Sequence, residues 1–81
     1  MPYIKNKEHR KECDEIVELM DDYLSLDGDL NYVLFKFAKG MPSEYKLYRN
    51  LIGELNECVA EIRRRLLAPY EDKKIKENGD V

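Results

Sequence analysis

The chain has 81 residues, a charged fraction of 38% and a net charge of −3. A chain this short forms one small domain, for which association with a second copy is a common source of additional stability. No apolar run approaches the roughly 20 residues of a membrane helix and no leader pattern opens the chain, so we expect a cytoplasmic protein without a membrane partner. The acidic balance argues against a nucleic-acid partner, because binding to phosphates needs a basic face.

The charges are arranged in blocks. Residues 12–31 contain eight acidic side chains and no lysine or arginine, whereas basic residues dominate residues 1–11. A second basic block is the triplet Arg63-Arg64-Arg65, which suits the last turn of a helix because positive charge there offsets the helix dipole. The alternative for this triplet is a contact with phosphate or with an acidic partner.

The first predicted helix covers residues 9–26. Gly28 is expected to take the left-handed conformation that ends it, and Asp27 or Asp29 to accept hydrogen bonds from free amides of the next helix. The two cysteines, Cys13 and Cys58, lack metal-ligand spacing and are predicted to be buried, reduced thiols. Apolar residues recur along this helix at amphipathic spacing: Cys13, Ile16, Val17, Met20, Tyr23 and Leu24.

Two further helices follow. The second covers residues 30–39 and stops at Gly40, and its wide apolar perimeter indicates burial on two sides. The third covers residues 44–67, with Ser43 as its capping residue. It is too long for the other two helices to pack along its whole length. The part that they leave uncovered is therefore a candidate dimer surface. The apolar stripe of the third helix consists of Tyr48, Leu51, Ile52, Leu55, Val59, Ile62 and Leu66.

The tail, residues 69–81, allows two interpretations. It forms a short fourth helix over residues 70–78, or the third helix continues through a kink at Pro69. In either case we predict that Tyr70, Ile75 and Val81 pack onto the bundle, while Glu71 and Asp72 meet basic side chains. The predicted fold is an all-α, three- to four-helix bundle in a single domain, residues 1–81, which forms a dimer.

Paired carboxylates are the only pattern with a possible catalytic meaning. Glu15-x-x-Glu18 and Glu54-x-x-Glu57 imitate the spacing with which helical pyrophosphohydrolases of the MazG type hold magnesium. Helical phase directs the third-helix carboxylates away from the apolar stripe, and Glu61 is better placed for an i,i+4 ion pair with Arg65. The sequence therefore predicts no catalytic residue, no metal site and no cofactor.

Four segments carry a resemblance to a known family. They are Met1-Pro2-Tyr3-Ile4, the Gly28–Val33 turn, Tyr48-x-x-x-Ile52-Gly53-x-Leu55, and the closing segment, which consists of Arg64-Arg65 and the tail from Pro69 to Val81. The chain resembles a small uncharacterised family of roughly 80 to 100 residues found in bacteria, archaea and phage or prophage genomes. This family has no assigned activity. The resemblance implies that the tail folds back onto the Gly28 turn and that one unit is formed by Asn31, Tyr32, Glu61, Pro69, Tyr70, Glu71, Asn78 and Asp80.

The favoured function is a non-enzymatic helical interaction module, homodimeric, that presents a surface to a protein partner. One alternative is a small magnesium-dependent nucleotide pyrophosphohydrolase or nucleotide-binding protein that uses Glu57, Glu61 and a first-helix carboxylate. Another is a phosphate or nucleic-acid contact through residues 63–65, which the acidic first helix disfavours. The candidate interaction surface consists of Asn31, Tyr32, Gly53, Ala60, Arg63, Tyr70, Glu71, Asn78 and Asp80.

Overall fold

The computed structural model describes residues 3–80 and contains helices and turns but no strand in that range. The all-α class is confirmed, and so is the long third helix, which runs without a break for 34 residues. A turn of π-helix, Arg63–Leu67, joins the two parts of this long helix. The α-helical elements are α1 (Lys7–Tyr23), α2 (Asp29–Lys39), α3 (Tyr45–Ile62) and α4 (Ala68–Asn78).

The chain divides into two compact units, residues 1–42 and residues 43–81. The first unit contains α1 and α2, and the second contains α3, the π turn and α4. The organisation of all 81 residues as a single domain stays a prediction.

Helix α1 begins at Lys7, before the predicted start, because Asn6 caps it. The Asn6 side-chain oxygen accepts hydrogen bonds from the backbone N–H groups of Glu8 at 2.9 Å and of His9 at 3.2 Å. These two bonds satisfy donors that the first turn of a helix otherwise leaves free. The prediction missed this cap, although asparagine is among the preferred residues at that position.

The turn between α1 and α2 differs from the predicted one in its hydrogen bonds. Gly28 has a positive φ of 98°, as predicted, and directly precedes α2. The expectation that Asp27 or Asp29 accepts from the amides of the next helix is wrong, since no side chain caps α2. The Asp29 carboxylate accepts from Ser25 instead. The backbone N–H and the hydroxyl of Ser25 lie 3.0 and 3.1 Å from Asp29 Oδ2. This closure ends α1 at Tyr23 rather than at residue 26.

The third helix departs from the prediction at both ends. Its capping position is Glu44, not Ser43, and no side chain makes a capping hydrogen bond there. At the other end the helix continues through Pro69, the second of the two predicted alternatives. Proline has no N–H to donate to the carbonyl four residues earlier and its ring crowds that carbonyl. The π turn accommodates this, with the Ala68 N–H donating to the carbonyl of Arg63, five residues back.

None of the residues from 3 to 80 is buried. The predicted burial of the cysteines is therefore wrong for Cys58, which is exposed, and Cys13 is only partly buried. Large apolar side chains remain accessible to solvent, and 15 exposed ones lie on α1, α2 and α3. The partly buried residues are Cys13, Leu24, Asp29, Leu30, Leu34, Ala38, Met41, Leu47, Leu51 and Glu61.

Candidate interaction surfaces

One face of α3 carries an accessible apolar seam, which we define as Tyr48, Ile52, Leu55, Val59 and Ile62. The spacing alternates four and three residues, so the members lie in one stripe along the helix. Their exposed fractions range from 36% for Leu55 to 57% for Ile52. This seam is the part of the predicted apolar stripe that lies on α3, without the partly buried Leu51.

A strip of small residues, Gly53 and Ala60, lies on another face of α3. The two residues are seven apart and about 130° around the helix from the centre of the seam, at 100° per residue. A Cβ atom added at Gly53 would have no neighbouring atom within 4 Å. Among the described residues, nothing therefore makes the close approach that would explain a glycine in the middle of this helix.

The ion pairs at the end of α3 centre on Glu61. Its carboxylate oxygens lie 2.8 Å from Arg64 Nη2 and 3.4 Å from Arg65 Nη1. The predicted pair between Glu61 and Arg65 is thus present, and Arg64 joins it. Arg63, which was placed in the candidate surface, is exposed and forms no ion pair with the described residues.

The tail residues lie on α4 and just beyond it. Tyr70 and Ile75 are 58% and 46% exposed, so α4 leaves much of both side chains in solvent. Lys74 Nζ lies 5.6 Å from the centre of the Tyr70 ring and 3.3 Å from Glu77 Oε2, both within the tail. Gly79 ends the helix with a positive φ of 85°. Val81 lies outside the described residues, so its predicted packing is not described.

The predicted site residues of the second unit are spread along one helix. Positions 53 and 78 are separated by about 37 Å at the usual helical rise of 1.5 Å per residue. The structure therefore does not bring Gly53, Ala60, Tyr70 and Asn78 together at one point. Glu71 and Asn78 are exposed on α4, and Asp80 is exposed beyond it.

The other two predicted residues, Asn31 and Tyr32, are exposed near the start of α2. Lys36 lies one turn later, and its ammonium group is 3.4 Å from the Tyr32 hydroxyl and 5.5 Å from the centre of the ring. This contact orients Tyr32 along its own helix, as a cation–π pair does.

The first unit also has an apolar groove between α1 and α2, which we call the α1–α2 groove. Its volume is about 320 Å³. Most of its lining belongs to the apolar stripe predicted for the first helix, but that stripe did not include Leu19, which is 58% exposed. The signal was available, because residues 16, 19, 20 and 23 have the i, i+3, i+4, i+7 spacing. The lining consists of Ile16, Leu19, Met20, Tyr23, Leu24 and Val33.

The carboxylates do not converge within residues 3–80. No group of three or more histidine, cysteine, aspartate or glutamate side chains in that range could hold a metal ion. Glu61, a candidate ligand in the pyrophosphohydrolase alternative, is bound by two arginines instead. None of the helices within residues 3–80 has the length and apolar character needed to span a membrane.

Comparison with known families identifies one match. The family described as "Domain of unknown function (DUF6899)" matches residues 1–81. No curated protein and no solved structure matches the chain.

Proposed function

We propose that this chain, which belongs to the DUF6899 family, is a non-enzymatic helical interaction module that works as a homodimer. The observation that carries the proposal is the accessible seam on α3 in a chain whose described residues include no buried one. Apolar surface of this extent is typical of protein association, because its removal from water is favourable.

The occurrence of this chain's family in phage or prophage genomes, which the resemblance implies, is also a prediction.

The seam has the period of a helix that packs along another helix. Ile52 and Val59 are seven residues apart. Leu55 lies between them and is seven residues from both Tyr48 and Ile62. In heptad terms Ile52 and Val59 occupy position a, and Tyr48, Leu55 and Ile62 occupy position d. The centre of the seam thus has β-branched residues at a and leucine at d, the combination that favours a parallel two-stranded coiled coil. The repeat spans two heptads before the π turn changes the phase of the helix. The seam therefore fits the same seam of a second copy.

The expected strength of this contact is modest. Full burial of one such side chain stabilises by about 1.5 to 3 kcal/mol. The five seam side chains are about half exposed, so burial of their remaining surface would stabilise a dimer by about 5 kcal/mol per copy. Two copies gain about 10 kcal/mol, against an association cost of about 4 to 15 kcal/mol. We therefore expect a dimer that dissociates on dilution rather than a permanent one.

The test is sedimentation over a concentration series in the micromolar range. The unaltered chain should move from its own mass of 9.6 kDa towards twice that mass as its concentration rises. Leu55→Asp should remove this association, because it places a charge in the seam. The matched control is Asn50→Asp, which adds the same charge about 160° away around α3. A chain that is monomeric at every concentration, or equal loss of association in both variants, would refute the seam as the dimer contact.

A further inference from the structure

The α1–α2 groove is bordered by negative charge. Glu15 and Asp22 are four residues before and three residues after Leu19, so both flank it on the surface of α1. Glu12 lies four residues before Ile16, and its carboxylate is 4.0 Å from His9 Nδ1. Neither Glu15 nor Asp22 forms an ion pair with the described residues, and the whole stretch from 12 to 31 has no lysine or arginine. An apolar surface with an uncompensated acidic border is thus available on the first unit.

We propose that the α1–α2 groove binds a basic amphipathic helix of a partner protein. The groove would be the surface through which the proposed interaction module binds its partner, so this proposal rests on that proposed function. The apolar residues of the partner helix would pack on Ile16, Leu19 and Val33. The lysines or arginines of that helix would meet the carboxylates along the border of the groove. Helix-in-groove binding uses this combination of apolar anchors at helical spacing and complementary charge.

The charges select this occupant over a second copy of the chain. Two acidic grooves placed face to face would bring like charges together, which is unfavourable. Helix α3 of a second copy is not basic either, since Lys46 and Arg49 are outnumbered by three glutamates between residues 45 and 62. Most of the basic side chains that follow are already paired within their own chain, Arg64 and Arg65 with Glu61 and Lys73 and Lys74 with Glu77. The groove and the seam are therefore distinct surfaces, one for a basic partner and one for self-association.

The test uses the full chain and two synthetic peptides of about 18 residues, above the length at which isolated helices are marginal. Both peptides carry leucines at i, i+3, i+4 and i+7, and one has lysines on the flanks where its twin has glutamates. Affinity is measured by calorimetry at two salt concentrations. The lysine peptide should bind, more weakly at high salt, and at least about tenfold more tightly than the glutamate twin.

Two sets of variants locate the binding. Leu19→Glu should weaken binding of the lysine peptide at least about tenfold, whereas Leu26→Glu, at an 88% exposed position outside the lining, should not. The double change Glu15→Lys with Asp22→Lys should have a similar effect to Leu19→Glu. Its control, Asp14→Lys with Asp21→Lys, makes the same change of charge on the far side of α1. Helical circular dichroism verifies that each variant is folded.

Three results would overturn the proposal. They are equal binding of both peptides, no binding of the lysine peptide, and equal effects of the border and far-side double variants. Loss of self-association in Leu19→Glu would show instead that a second copy fills the groove. If the dimer fails but the lysine peptide binds as expected, the seam is wrong and the groove stands, so the two failures are distinguishable.

Discussion

Gly53→Ala distinguishes the two faces of α3 that could serve as an interface. Gly53 lies in the middle of an 18-residue helix, where glycine costs about 1 kcal/mol relative to alanine. A methyl group at this position would meet open space. If the interface is the seam, on another face, the substitution should raise the free energy of unfolding by about 0.5 to 1 kcal/mol. Because 1 kcal/mol shifts Tm by about 4 to 8 °C in a domain this small, Tm should rise by about 2 to 8 °C.

The assay is thermal unfolding followed by circular dichroism, at one fixed protein concentration because association makes Tm depend on concentration. Ala60→Gly is the reciprocal control, two turns along on nearly the same face, and should lower Tm by a comparable amount. A fall in Tm on Gly53→Ala, together with a smaller fraction of dimer in sedimentation, would refute the reasoning. It would mean that a partner backbone approaches the strip of Gly53 and Ala60 closely.

Two further substitutions test the backbone features at the ends of the helices. Gly28→Ala should lower the free energy of unfolding by about 1 kcal/mol, because φ is +98° there and a side chain makes that conformation unfavourable; an unchanged denaturation midpoint would contradict this. Pro69→Ala should raise the free energy of unfolding by less than about 3 kcal/mol. The reason is that the new N–H can donate to the Arg65 carbonyl, so the π turn is no longer needed. Amide exchange at Ala68 measures the change, and a lower Tm in this variant would indicate that the π turn itself is required for packing.

The helices could be predicted from the sequence because their signals are local. Apolar spacing, the glycines at residues 28 and 40 and the basic last turn of α2 all act within a few residues of the chain. The boundaries failed where a side chain bonds to a specific neighbour, as Ser25 does with Asp29, since several such bonds are possible at any turn. At Pro69 the sequence allowed two outcomes, because a proline inside a helix either breaks it or is accommodated by a local distortion such as a π turn.

The surfaces were less predictable than the helices for a different physical reason. Apolar spacing shows that a face is to be removed from water, but it does not specify whether the cover comes from the same chain or from another. The seam and the α1–α2 groove both carry this pattern and both remain accessible in the described chain. Charge is the information that separates them. The groove has an acidic border, whereas α3 carries both signs of charge along its length.

This accessibility links the stability of the module to its partners. Isolated helices of the length of α2 and α4, each 11 residues, are marginal in water, and most helical stability in proteins comes from packing of the apolar face. No residue between positions 3 and 80 is buried, so a molecule that binds these apolar faces would add to that packing. Whatever binds only the folded form stabilises it in proportion to the logarithm of its concentration. Helical content should therefore fall when the chain is diluted and rise when the basic peptide is added, with the seam responsible for the first effect and the groove for the second.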